Sequence, residues 1–235
     1  MPRFLHLPLC LALLSSAAVA APSYLPGEAE YREAAPQLDE IDRRMMALAN
    51  QREPNGAMNQ ALRQALLDYL QAHVADIHTL LETASAAGNP AAEYRLARLL
   101  EMANDPASHA RACTLLQSSL ARGFTPAALQ MRDSCPEAID TPTYIAQVKA
   151  LPAIPTPYAR YYPQPSNLPP CLPPSGNLLD LQSLDEPAFR ANLYYSMREV
   201  LVDAGAQTRQ ARLAYPLQAQ AYGCPRIEGW LARQK

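Results

Sequence analysis

Leu38, Ile41, Met45 and Leu48 fall at steps of three and four residues, with polar positions between them. That spacing keeps one apolar stripe on one side of a helix. Glu53-Pro54-Asn55-Gly56 ends it, because proline and Asn-Gly favour a turn. From Met58 the stripe resumes through Leu62, Leu66, Leu70, Val74, Ile77, Leu81 and Ala84. Its unbroken phase favours one helix over 57–87, although two helices joined near 71–75 would leave the same pattern. Gly88 suits the left-handed position just past a helix end.

The chain then writes one opening twice. "GNPAAEYRLARLLE" begins at Gly88 and "GFTPAALQMRDSC" at Gly123. In each, glycine closes a helix, proline starts the next within two or three residues, and two alanines permit close approach. Tyr94, Leu96, Leu99 and Leu100 give the first of these helices its apolar face. Asp105 is a candidate N-cap before Pro106. Ala112, Leu115, Leu116 and Leu120 mark a helix ending before Gly123, and Pro126 opens one that ends near Cys135-Pro136. "TLLETASAAGNPAA" (79–92) aligns with "TLLQSSLARGFTPAA" (114–128) at an offset of 35, then 36. A period in the mid-thirties with short connections is a helix-pair repeat with antiparallel neighbours.

The segment from about Ile77 to Cys135 resembles Sel1-like repeats, relatives of the tetratricopeptide repeat. The residues that carry the likeness are Ala92, Leu96, Asp105, Ala110, Gly123 and Pro126-Ala127-Ala128. Three positions depart from the pattern: Ala97 replaces the usual glycine, Leu100 an aromatic, and "EMANDP" a glycine-rich turn. The resemblance implies an all-α fold, a short α/α solenoid over 37–141. It implies no activity.

Two further regions follow. Ten prolines fall between Pro142 and Pro174, a density that regular helices and sheets do not tolerate. Residues 142–182 therefore read as an irregular, proline-rich arm. Its tyrosines, Tyr158, Tyr161 and Tyr162, either pack the arm back on the helices or border a binding groove. Residues 183–235 read as a small C-terminal helical cap. Ser183 and Glu186 form a capping box, and Leu193, Met197, Val200 and Leu201 give a helix ending near Gly205. A more polar helix runs to about Tyr215-Pro216. Ile227, Trp230 and Leu231 make a last apolar face. Ahead of the repeats, 21–36 reads as an irregular lead-in.

The N-terminus sets the compartment. "MPRFLHLPLCLALLSSAAVA" has one cation, Arg3, then an apolar run and small residues ending Ala18-Val19-Ala20. This is the pattern of a secretory signal peptide cut after Ala20, and its apolar run is too short for a membrane anchor. No later run is long and apolar enough to cross a bilayer. Losing Arg3 takes 20 basic residues to 19 against 22 acidic ones, a formal charge of −3. With no dense basic cluster, nucleic acid is not an expected partner.

Cys113, Cys135, Cys171 and Cys224 remain after the leader. In an exported chain four cysteines read as two disulfides. Cys113 and Cys135 stand ten and twelve residues either side of Gly123, so an antiparallel pair turning there brings them level. Cys171 and Cys224 pair by elimination. A metal site is the alternative, but no pair has C-x-x-C spacing. His73 and His78 are five apart, about 140° around a helix, so they cannot share a metal. His109 and Cys113 are the single local nucleophile–base candidate, and export argues that Cys113 is oxidised. No G-x-S-x-G, H-E-x-x-H, phosphate-loop or dinucleotide motif occurs.

The function expected is therefore non-catalytic, with no cofactor and no metal. The chain reads as a periplasmic or secreted module that binds another protein or peptide of the envelope. Arg95, Arg98, Arg111 and Arg122, with Tyr158, Tyr161 and Tyr162, are the candidate partner contacts, since Arg and Tyr dominate binding energy at interfaces. An immunity or inhibitor protein against a periplasmic toxin or hydrolase is the second reading. An envelope enzyme acting on β-lactams or cell-wall fragments is the third.

Overall fold

A computed structural model describes residues 25–53, 55–154, 157–166, 170–172, 182–203 and 209–233, without the side chains of 199–203 and 209–212. The leader with its cut after Ala20, the Val200 and Leu201 side chains and the helix end near Gly205 lie outside the described residues.

The described chain is mainly α-helical, with one small sheet. The helices are α1 (Glu28–Asn50), α2 (Gln60–Ala86), α3 (Pro90–Glu101), α4 (Pro106–Ala121), α5 (Thr125–Ser134), α6 (Pro136–Ile139), α7 (Pro142–Ala150), α8 (Glu186–Asp203), α9 (Arg209–Ala221) and α10 (Arg226–Ala232). Strands β1 (Gln164–Ser166) and β2 (Gln182–Leu184) pair antiparallel, with Gln164 opposite Leu184. The helices pack chiefly as consecutive pairs, α1 on α2, α3 on α4 and α8 on α9. Among the described residues no helix is long and apolar enough to cross a membrane.

The repeated opening has a local physical basis. Gly88 and Gly123 sit at φ 91° and 88°, a conformation that costs glycine little. After each, the next N–H reaches back five residues, Asn89 to the Ala84 carbonyl (3.0 Å) and Phe124 to the Ser119 carbonyl (3.1 Å). These bonds close the helix end in a Schellman turn. Asn89 then caps α3, its Oδ1 accepting from Ala91 and Ala92 at 3.0 Å. Ala91, Ala92, Ala127 and Ala128 are wholly buried. Their small size lets Ser119 Oγ donate to the Pro90 carbonyl (2.7 Å) and Tyr144 Oη to the Ala128 carbonyl (2.9 Å). Asp105 caps α4 through Ala107 and Ser108, as its position predicts.

α2 is one continuous helix. Four other boundaries depart from the sequence pattern. The irregular lead-in at 21–36 gives way to helix from Glu28. Tyr31 and Ala34 extend the Leu38–Ile41 stripe backwards, and all four are buried. Pro36 lies on the exposed face, where solvent can satisfy the carbonyl its missing N–H leaves free. The proline-rich arm begins after α7 rather than at 142, because Pro142 occupies the first helical turn. Asp185, not Ser183, caps α8: its Oδ1 accepts from Ala188 N–H at 2.9 Å while Ser183 pairs with Pro165 in the sheet. α9 continues through Pro216 to Ala221, held by Tyr215 stacking on Tyr194, with ring centroids 5.9 Å apart.

The disulfides join Cys113 to Cys135 and Cys171 to Cys224. The second ties the arm to the end of α9.

Candidate interaction surface

One helix of each pair contributes to a common face. Asp39 and Asp42 are three residues apart on α1, and Arg95 and Arg98 are three apart on α3, so each couple shares one side of its helix. Arg95 Nη2 reaches Asp39 Oδ1 at 2.8 Å and Asp42 Oδ2 at 3.4 Å; Arg98 reaches Asp42 Oδ1 at 3.4 Å. From α5, Gln130 Nε2 donates to Glu101 Oε2 on α3 (3.1 Å). Arg132 Nη1 donates to Ser196 Oγ on α8 (2.9 Å). Successive helices are thus joined by polar side chains from α1 across to α8.

The arm lies across one end of this face. Tyr161 stacks edge-on against Tyr31 (5.0 Å) and accepts from Asn89 Nδ2 at 3.0 Å. Burial pushes its phenol up to about 12. Gln164 Nε2 donates to Tyr31 Oη at 3.0 Å, and its Oε1 accepts from Arg95 Nη1 at 3.5 Å. Arg160 Nη1 pairs with buried Glu28 at 2.9 Å. Burial alone would raise the Glu28 carboxyl, but the Leu25 N–H and the Arg160 guanidinium outweigh it and hold it below its ordinary value. Tyr158 and Tyr162 pack on buried Phe124, and Tyr162 also on Phe189 of α8.

This arrangement corrects the set of predicted partner contacts. Arg95 is 3% exposed and Tyr161 5%, and both are engaged inside the molecule. Gln164 and the two aspartates satisfy the guanidinium that the sequence offers to a partner. Nor do the other arginines gather beside them. Arg98 lies at the α1–α3 junction. Arg111 on α4 bonds Glu82 of α2 at 2.6 Å, and Arg122, at the end of α4, pairs with Glu93 at 3.4 Å. Tyr158 and Tyr162 are half-buried and serve to seat the arm.

One of the clefts left open among the described residues, of about 440 Å³, lies between α3, α5, β1 and the start of α8. Tyr94, Arg98, Glu101, Gln130, Asp133 and Phe189 line it. Arg98 Nη1 and Glu101 Oε1 belong to two of the lining residues and are buried without a well-aligned hydrogen bond. Buried polar atoms are normally paired, so a small side-chain movement of Arg98 and Glu101 would offer the cleft a donor and an acceptor. Partial desolvation raises the Asp133 carboxyl, with Arg132 opposing. Glu101, Gln130 and Asp133 are absent from the sequence-based set. The local signal in the sequence is spacing alone: Arg98 and Glu101 on α3, and Gln130 and Asp133 on α5, are each three apart and so share one side of their helix.

The other chemical candidates resolve simply. His73 packs on Tyr69 and His78 pairs with Glu82 at 3.3 Å. His109 Nε2 lies 4.0 Å from Cys113 Sγ, but that sulfur is bonded to Cys135. In this form it has neither thiol nor thiolate to offer as a nucleophile. A comparison with protein families, with curated proteins and with solved structures finds no match to this chain.

Proposed function

We propose that this chain is a non-catalytic protein-interaction module of the cell envelope, built as a short, degenerate Sel1-like α/α array whose own arm covers part of its binding face. The partner is a polypeptide segment that enters the cleft between α3 and α5. The observation that carries this reading is one open cleft lined by Arg98 and Glu101, each with a buried atom, Nη1 and Oε1, that lacks a well-aligned hydrogen bond. A peptide backbone offers both a carbonyl for Arg98 and an N–H for Glu101. Tyr94 and Phe189 supply the aromatic walls common at peptide-binding surfaces. Two disulfides and the lack of a membrane-spanning helix among the described residues are compatible with an extracellular or periplasmic site.

The test is site-specific photocrosslinking in the envelope of the producing cell. A photoreactive residue at Gln130 should capture one defined partner, and Arg98→Ala with Glu101→Ala should abolish the product. A photoreactive residue at Gln64, on the exposed side of α2, should not capture it. Equal capture from both positions, or capture that survives the double variant, would contradict the cleft as the binding site.

A further inference from the structure

We propose that the Cys113–Cys135 disulfide conceals a zinc site, which forms when a dithiol reductant opens the bond. The donors are Cys113 and Cys135 with His109 and Glu137.

His109 and Cys113 are four residues apart on α4 and so share a face. Cys135 ends α5, and Glu137 lies two residues later, in the first turn of α6. The disulfide brings these two short motifs, H-x-x-x-C and C-x-E, together. A nitrogen of His109, the sulfur of Cys113 and a carboxylate oxygen of Glu137 lie within 4.8 Å of one another. The fourth donor, Cys135 Sγ, is one covalent bond from Cys113 Sγ.

Two cysteines, a histidine and a carboxylate are a zinc donor set. Zinc takes four such ligands tetrahedrally, at about 2.3 Å for sulfur and about 2.0–2.2 Å for nitrogen and oxygen. Ligand atoms in that geometry stand about 3.3–3.8 Å apart. The present spacing of up to 4.8 Å closes by rotamer changes of His109 and Glu137, both exposed. The cysteine Cα atoms are 5.8 Å apart, which leaves room for the sulfurs to separate once the bond is cut. Both cysteines are buried while the other two ligands face water, so the ion has an entry path on one side.

The chemistry balances without another participant. The dithiol gives two electrons and two protons to the disulfide, becoming a disulfide itself and leaving two cysteine thiols. Zinc then displaces the two thiol protons to solvent. Exchange with the disulfide form of the same dithiol reverses the sequence: that disulfide takes back two electrons, and two protons from solvent, the cysteine sulfurs rebond, and the ion leaves because a disulfide sulfur lacks the thiolate charge that binds it. The same four residues thus report the redox state of their surroundings, holding a covalent bond when oxidised and an ion when reduced.

The test is cobalt(II) titration of the full chain, oxidised and then reduced anaerobically with a water-soluble phosphine, followed by displacement with zinc. Cobalt stands in for zinc and displays tetrahedral thiolate ligation as visible bands and a near-ultraviolet charge-transfer band. The oxidised chain should show neither. The reduced chain should show both at one equivalent, bleached by zinc. Cys113→Ser with Cys135→Ser should remove them, although the thiols of Cys171 and Cys224 remain. His109→Ala and Glu137→Gln, at exposed positions that leave the fold intact, should each weaken zinc binding at least about tenfold; outer-shell changes alone cost about 10–100-fold. Three results would overturn the proposal: no bands on reduction, bands that survive the double serine variant, or affinity indifferent to both His109→Ala and Glu137→Gln.

Discussion

Gln164 of the arm donates through Nε2 to the hydroxyl of Tyr31 on the first helix, at 3.0 Å and 133 residues away in sequence. Both residues are buried. Their bond, with that of Gln164 to Arg95, fastens a proline-rich segment to the helices. It should show as coupling: in a double-mutant cycle of Tyr31→Phe and Gln164→Ala, the two losses should fall short of additive by about 0.5–1.5 kcal/mol. Urea denaturation of the four proteins measures this. Full additivity would mean that the two side chains do not meet.

Arg95→Ala should destabilise the chain by about 2–3 kcal/mol. That is below the usual cost of breaking a buried pair, because Asp39, at 60% side-chain exposure, stays solvated. Arg111→Ala removes an ion pair that is 47% exposed on its arginine side and should cost no more than about 1 kcal/mol. Chemical denaturation distinguishes them. Equal, small effects would return Arg95 to the surface.

Acid should loosen the arm. The Glu28 carboxyl is held below its ordinary value in the folded chain, so it contributes stability above the unfolded carboxylate pKa, about 4.3. That contribution fades as pH falls through the lower folded value. Glu28→Gln should therefore destabilise at pH 7, and the gap from wild type should narrow toward pH 3. Paired unfolding curves across that range check it. A gap that widens in acid would reverse the sign assigned to Glu28.

Phe124 is fully buried and touches Tyr94 of α3 and the arm tyrosines 158 and 162. Phe124→Ala should cost about 3–5 kcal/mol. It should also weaken the near-ultraviolet circular dichroism of the tyrosines, as their rings lose fixed packing. A loss under about 1 kcal/mol would place the ring outside the packed core.

Removing Cys113–Cys135, which closes a loop of 22 residues, should cost about 3.4 kcal/mol in the chain-entropy model. Cys171–Cys224, spanning 53, should cost about 4.2 kcal/mol. Thermal unfolding of each serine pair compares them. A negligible change for the second pair would show that the arm is anchored by its side chains alone.

Much of this fold is legible in the residues because its signals are local. Gly88 and Gly123 fix helix ends, Pro90 and Pro126 fix starts, and the spacing of Cys113 and Cys135 about Gly123 follows from helical rise. The errors arise where tertiary packing overrides local preference. Pro36 and Pro216 read as breakers, yet each sits within a helix that neighbours hold in place. The candidate partner surface is the least legible part. Arg95 and Arg98 have the same local sequence signature, and only the distant Asp39, Asp42 and Gln164 decide that Arg95 is interior. Glu101, Gln130 and Asp133 gain their meaning from the same long-range packing.

Residues 157–166 of the arm belong to the folded body, which buries Arg95 and Tyr161 and leaves the cleft beside Arg98 as the proposed binding site. Amide hydrogen exchange over 157–166 tests it most directly. Tyr161 N–H donates to the Tyr158 carbonyl at 2.9 Å, Tyr162 N–H to the Ala159 carbonyl at 3.2 Å, and β1 pairs with β2. These amides should be protected together with those of α3 and lose protection in the same unfolding step. Exchange of 157–166 at the rate of an unstructured peptide, while α3 stays protected, would place these residues outside the folded body.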